Sequence, residues 1–234
     1  MDKSEKKIVI LSGAGISAES GLGTFRDDDG LWERHDLNEV ATIDAWHRNP
    51  KLVLSFYNDR RTQVVASLPN KAHYALAELE NHFNVEIITQ NIDDLHERSG
   101  SKNVLHLHGE ILKGRSVEND IHLYPIEGNI KLGDLTPDGH QMRPHIVWFG
   151  EAVPRMLDAE ELVRQCDILI VVGTSLNVYP AAGLRFACAD NCTKFLVDPS
   201  NLQMGEQQFE HFQGSATEKI PFLVDKLIQE YKNT

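Results

Sequence analysis

Cysteine is scarce: the chain of 234 residues has three, Cys166, Cys188 and Cys192. An odd and late-clustered count argues against a disulfide framework and for buried thiols. Cys188 and Cys192 lie one helical turn apart and could present a ligand pair, but no second pair completes a metal set. Long apolar runs are missing as well. None approaches the roughly 20 residues that a membrane span needs, and the N-terminal MDKSEKKIV lacks the apolar core of a signal peptide, so a cytoplasmic protein without a membrane partner is expected. Positive charge is in deficit, with 23 Lys and Arg against 35 Asp and Glu, a formal net charge of −12 and a pI near 5.3. That balance disfavours direct binding to nucleic acid phosphates or anionic lipid, while leaving lysine-rich partners open. No internal repeat and no low-complexity tract is visible.

What remains is the composition of a globular protein, 41% hydrophobic and 25% charged, long enough for one large domain or a larger domain carrying a small one. Its most informative stretch is IVILSGAGISAESGLGTFR. Ile8 to Leu11 read as a fully buried strand of a parallel sheet, since aliphatic residues follow one another without polar alternation and stop at Ser12 and Gly13. Gly13, Gly15 and Ala18 then fit the G-x-G-x-x-G/A spacing, in which bare backbone approaches a pyrophosphate at a helix start. A glycine-rich turn without a ligand is the plainer reading. The usual second strand with an acidic end is missing. Phe25, Arg26, three aspartates and Gly30 follow instead, a loop composition, which suggests a dinucleotide held for something other than hydride transfer.

Further strands are predicted at VEIITQN, VLHLHG, HIVWFG, ILIVVGTS and KFLVDPS, and helices at AHYALAELENHF, MLDAEELVRQC and IPFLVDKLIQEY. Alternating strands and helices predict an α/β fold with a doubly wound, Rossmann-like parallel sheet, whose ligands sit at the carboxyl ends of the strands. Residues 31–71 read as helical, with a boundary before Pro50, and residues 113–144 are turn-rich. The expected division is therefore a dinucleotide-binding domain from 1–30, 72–112 and 145–234, with a smaller inserted module made from 31–71 and 113–144.

The motifs GAGISAESGLGTFR, TQNIDDLH, LHLHGE, RPHIVWFGE and GTSLNVYPA, in this order, resemble those of the sirtuins, NAD-dependent protein lysine deacylases of bacterial type. The resemblance implies NAD as cofactor and acylated-lysine proteins or peptides as partners. Gly13, Ala14, Gly15 and Ile16 would then cradle its phosphates, Phe25 and Arg26 would cover the reacting ribose, and Gln90, Asn91 and Asp93 would bind the ribose and the nicotinamide amide. Gly173, Thr174 and Ser175 would add a second polar edge, Asp198 would reach the adenosine hydroxyls, and Ala216, in the turn 214–217, would flank the adenine. His108 would be the general base that takes a ribose hydroxyl proton, with Asn91 beside it in the catalytic centre; a histidine pKa near 6.5 suits that task. Val147, Trp148, Phe149 and Gly150 would form the sleeve and edge for the acyl-lysine.

The same resemblance extends to acyl preference. Tyr57 and Arg60 stand three apart on one helical face, where relatives that remove acidic acyl groups carry a Y-x-x-R pair. A phenol and a guanidinium can together hold a carboxylate. The plainer alternatives are a core Tyr57 with a solvated Arg60, and His106 with His108 as core histidines or a metal pair. One departure stands out: most sirtuins hold the small module with zinc on four cysteines, and here no cysteine occurs between His108 and Phe149, with Ser116 where the first is expected. The structural zinc is expected to be absent, with apolar packing through Ile121, Leu123, Tyr124 and Ile130 in its place. A mono-ADP-ribosyltransferase, an NAD hydrolase, or a non-catalytic NAD or ADP-ribose sensor remain as other readings.

Overall fold

The computed structural model describes residues 4–24, 36–200 and 209–231. Six parallel strands form the main sheet in the order β3-β2-β1-β7-β8-β9. They are β1 (Lys7–Ser12), β2 (Asn84–Thr89), β3 (Val104–His106), β7 (Ile168–Val172), β8 (Thr193–Asp198) and β9 (Glu210–Gln213). The chain crosses from one half to the other between β1 and β7, the switch point where doubly wound sheets leave a crevice. KIVIL and ILIVV are the central pair, and their apolar runs are explained by burial on both faces. Ile8 and Ile10 turn to one side, against α4 (Lys71–Leu79) and α7 (Ala216–Tyr231). Val9 and Leu11 turn to the other, against α6 (Met156–Arg164) and the turn 181–186, as the period of two requires.

A second unit carries its own core. It contains α1 (Leu37–Val40), α2 (Ile43–Arg48), α3 (Pro50–Ala66), and an antiparallel sheet of β4 (Gly109–Ser116), β5 (Tyr124–Pro125) and β6 (Met142–Ile146) in the order β5-β4-β6. The short α5 (Leu95–Arg98) adds Leu95 to that core. The boundary expected before Pro50 is present: the Asn49 side chain caps α3 through Leu52 N–H, and Pro50 opens it. α4 begins with a reciprocal cap, in which the Asn70 side chain accepts from Ala72 N–H and the His73 ring accepts from Asn70 N–H.

Three expectations need correction. HIVWFG does not extend the parallel sheet: β6 ends at Ile146 and pairs with β4, and the remainder runs along residues 41–43, where Phe149 N–H donates to Ala41 O and Ile43 N–H to Phe149 O. Among the described residues no long helix follows the glycine loop directly. Residues 14–16 and 18–20 make single 3₁₀ turns, and Gly13 and Gly15 lie hard against the turn that follows β7. An added Cβ would come within 2.7 Å of Thr174 at Gly13 and of Gly173 at Gly15. The small module is also not packed as expected, since Ile121 and Leu123 are exposed. Ile130 is buried, and the Asn58 side chain of α3 bonds both its N–H and its C=O.

Candidate active site

Every strand of the parallel sheet ends, at its carboxyl side, in one of the residues singled out from the sequence or in its immediate neighbourhood: Ser12 and Gly13, Thr89 and Gln90, His106 to His108, Val172 to Ser175, Asp198, and Gln213 to Ala216. β1 and β2 are joined by more than their ladder. The Ser12 hydroxyl donates to Thr89 Oγ1 at 2.9 Å and meets His96 Nε2 at 2.9 Å. Thr89 Oγ1 also accepts from Asn91 N–H. This buried spine turns the chain after β2 so that Gln90 and Asn91 face the glycine loop.

Within that loop the Gly13, Gly15, Ile16 and Ser17 N–H groups donate to Val172, Gly173, Gly13 and Ala14 carbonyls respectively. The N–H of Ala14 has no acceptor among the described residues, which leaves it available to an anion. Ser17, fully buried, links the loop to the strand end: it accepts from Asn91 Nδ2 and donates to Asp93 Oδ2. Asp93 Oδ1 accepts from Leu95 N–H. Burial pushes the Asp93 carboxyl up, opposed by those two bonds and by the charges of His106 and Arg60. Gln90 donates to Thr174 Oγ1 across the switch point, and Gly173, at φ 63°, sits where a Cβ would strike Ile16 N. Ser175 is half-buried beside them.

His108 follows β3 and precedes β4. Its Nδ1 donates to Gln90 O at 2.9 Å, which leaves the lone pair on Nε2, with no partner among the described residues. Burial lowers its pKa, the Gln90 bond opposing; the neutral ring is the resting form. His106 is differently employed: it meets Asn91 O and the Glu97 carboxylate, the latter at 2.7 Å. Burial would lower its pKa, but Glu97 carries it upward. The two imidazoles thus have separate partners, and among the described residues no three His, Cys, Asp or Glu side chains are grouped for a metal.

Val147 N–H donates to His108 O, so the apolar segment begins beside the histidine. Trp148 is buried, stacked on Trp46 at 5.3 Å and lying 6.1 Å from the Tyr57 ring. Phe149 is 47% exposed, and Gly150, at φ 92°, turns the chain outward. Tyr57 is 3% and Arg60 7% exposed, so the solvated alternative for Arg60 fails. Arg60 donates to Gly23 O and to Gln63 Oε1, both neutral, and has no carboxylate within 4.0 Å among the described residues. Arg61, also buried, bonds Gly128 O and Asn58 Oδ1. Asp198 is buried at the end of β8, its Oδ1 accepting from Ser200 N–H. Ala216 opens α7, whose first turn is held by Glu19 through Ser215 and Thr217 N–H. Phe25 and Arg26 lie outside the described residues.

Sequence reasoning missed the clamp that holds this segment. Glu151 takes a bidentate pair of bonds from Arg143, at 2.7 and 3.0 Å, and accepts from Trp148 N–H. The Arg143 guanidinium lies 3.4 Å over the Trp148 ring. The only signal was an arginine and a glutamate bracketing an apolar run. Ser12, Ser17, Thr89 and His96 were missed too, being small or unremarkable until the fold joins them.

A family model described as the Sir2 family matches residues 13–180. An NAD-dependent protein deacylase of Helicobacter pylori is 53% identical over 226 residues, 96% of this chain and 98% of its own. One from Vibrio cholerae is 44% identical over 234, covering 95% and 94%. Among solved structures, a Sir2 homolog–NAD complex superposes with a TM-score of 0.86 at 37% identity, over 97% of this chain and 91% of that one. A Sir2 protein with a deacetylated p53 peptide and 3′-O-acetyl-ADP-ribose gives 0.79 at 28% identity, over 97% and 94%. Similarity of this extent, over nearly the whole length in sequence and in fold, settles the affiliation: the chain belongs to the Sir2 family.

Proposed function

We propose that the protein is an NAD-dependent lysine deacylase that prefers acidic acyl groups such as succinyl and malonyl, also takes acetyl, and transfers the acyl group to ADP-ribose with release of nicotinamide. The observation that carries the preference is Arg60: a buried guanidinium with no carboxylate within 4.0 Å among the described residues, feeling Asp93 only at longer range, on the same face of α3 as Tyr57, which borders the Trp148 segment. A buried cation whose hydrogen bonds among the described residues go to neutral acceptors is poised for an anion, since pairing recovers much of its desolvation penalty. The activity named for the relatives supports the deacylase reading, and the NAD and ADP-ribose complexes of the homologues support the cofactor.

NAD, when bound, supplies the sugar that accepts the acyl group and the nicotinamide that leaves. The polar ends of the strands suit such a molecule. The Ala14 N–H and the loop Gly13–Ile16 would meet phosphate oxygens, Gln90, Asn91, Asp93 and Gly173 to Ser175 would border the ribose, and Asp198 and Ala216 the adenosine. Phe25 and Arg26 are assigned to the cover over the ribose by sequence alone. His108 takes a hydroxyl proton at Nε2 while Nδ1–H stays on Gln90 O, so the ring cannot turn. Asn91, held by Ser17 through Nδ2, has no partner on Oδ1 among the described residues and would orient the sugar through it. Val147, Trp148, Phe149 and Gly150 exclude water around the lysine stem.

A His108→Ala protein tests this directly. Deacylation should fall by about 10²–10⁴-fold with NAD affinity kept, and the wild-type rate should lose its base on an acid limb below the usual histidine range. Undiminished deacylation would end the assignment, and nicotinamide release independent of any acyl peptide would point to a hydrolase or transferase instead.

A further inference from the structure

Three thiols play no part in the chemistry above, and they converge at the edge of the sheet opposite the cleft. Cys166 follows α6 and leads into β7; Cys192 immediately precedes β8. Because β7 and β8 pair with Ile168 opposite Thr193, the residues just before them are brought together, and the two sulfurs lie 3.5 Å apart, both buried. Cys188 lies four residues before Cys192 and is half-buried, its thiol donating to Arg185 O. Neither Cys166 nor Cys192 is inside a strand or helix, so the backbone can give the short movement needed to bring the sulfurs to the bonded distance of about 2.0 Å. Hydrogen bonding to the Cys166 thiol, opposed by burial and aided by the charge of Lys194 and by the Cys188 thiol, favours thiolate at Cys192 and holds it below the usual thiol range. The Cys166 thiol is pushed up.

We propose that Cys166 and Cys192 are a peroxide-sensitive dithiol that oxidises to an internal disulfide, with Cys188 remaining a free thiol beside it. The Cys192 thiolate attacks one oxygen of hydrogen peroxide, the O–O bond breaks, and the departing hydroxide takes a proton and leaves as water. Cys166 then attacks the resulting sulfenic sulfur. The S–S bond forms as the S–O bond breaks, and the Cys166 proton leaves with that oxygen as a second water. Two thiols are oxidised and one peroxide is reduced to two waters. The bond would tie together the strands that carry Gly173 and Asp198 at their other ends.

The test is peptide mapping of the full chain after one equivalent of hydrogen peroxide and an acid quench, with free thiols alkylated in denaturant. The expected map shows a Cys166–Cys192 cross-link, a loss of two hydrogens, reversal by dithiothreitol, and an alkylated Cys188. Cys188→Ser should keep the cross-link and Cys166→Ser should abolish it; should Cys166→Ser not fold, the map of the wild-type chain decides. Three alkylated cysteines, a Cys188–Cys192 link, or oxidation confined to a sulfinic acid on Cys188 would each overturn the proposal.

Discussion

Replacing Glu151 by alanine probes the clamp that holds Trp148. The carboxylate side chain is 18% exposed, and it neutralises Arg143, whose side chain is 3% exposed, with Arg115 a further 3.4 Å neighbour. Burial opposes ionisation of Glu151, but the bonds and charge of Arg143 outweigh it and hold the carboxyl below its usual range. Removing it leaves two arginines facing each other and a buried Trp148 N–H without its acceptor. Breaking a buried pair from one side costs about 3–5 kcal/mol. Partial water access at Glu151 moves the charge contribution to about 3, and the lost N–H bond adds about 1. At about 2–4 °C per kcal/mol for a chain of this size, Tm should fall by about 10 °C. Arg143→Met should cost less, about 1–2 kcal/mol, because the freed Glu151 can turn toward solvent while the methionine keeps contact with Trp148. Urea unfolding of both variants and of the double variant is the assay. A loss below about 1 kcal/mol for Glu151→Ala, or an Arg143→Met loss as large, would refute the reasoning.

Three further outcomes are expected. Arg60→Met should lower kcat/KM for a succinyl-lysine peptide by about 10–150-fold, the equivalent of one charged hydrogen bond, and leave the acetyl peptide within about threefold; equal losses on both peptides would count against the carboxylate contact. Burial holds His73 at a pKa of about 4, well below its unfolded 6.5, so only the unfolded chain takes up this proton between those values and stability falls as pH drops through that window. The loss from this group is about 2 kcal/mol between pH 7 and pH 5, and His73→Gln, which keeps a side-chain acceptor for Asn70 N–H, should shrink the urea-midpoint difference between the two pH values. Metal analysis of the purified chain should find no stoichiometric zinc; one zinc per chain would contradict the reading of Ser116 and its neighbourhood.

The parallel sheet was legible because burial on both faces leaves runs such as IVIL and ILIVV, and parallel strands place their ligands at one edge. The Y-x-x-R pair was legible as a helical spacing, though not its burial. β4 escaped notice because GEILKGRS has alternating exposure broken by a register shift, which leaves no continuous apolar signal. β9 is only four residues at the sheet edge. The glycines were read as room for a phosphate, whereas the nearest constraint is Thr174 Cβ and Gly173 O at Gly13 and the Gly173 backbone at Gly15. That constraint, like the Ser12–Thr89–His96 spine, joins residues more than 70 positions apart and has no local signature. The packing of the small module was misjudged for a similar reason: Asn58 supplies by hydrogen bonds to Ile130 what exposed Ile121 and Leu123 do not.

The most direct measurement compares matched succinyl-lysine and acetyl-lysine peptides with the purified protein, with and without NAD, following both peptide mass and acyl-ADP-ribose. The account predicts NAD-dependent loss of succinyl, faster than loss of acetyl, with acyl-ADP-ribose formed in equal amount. Removal of neither group, or of acetyl alone, would contradict it.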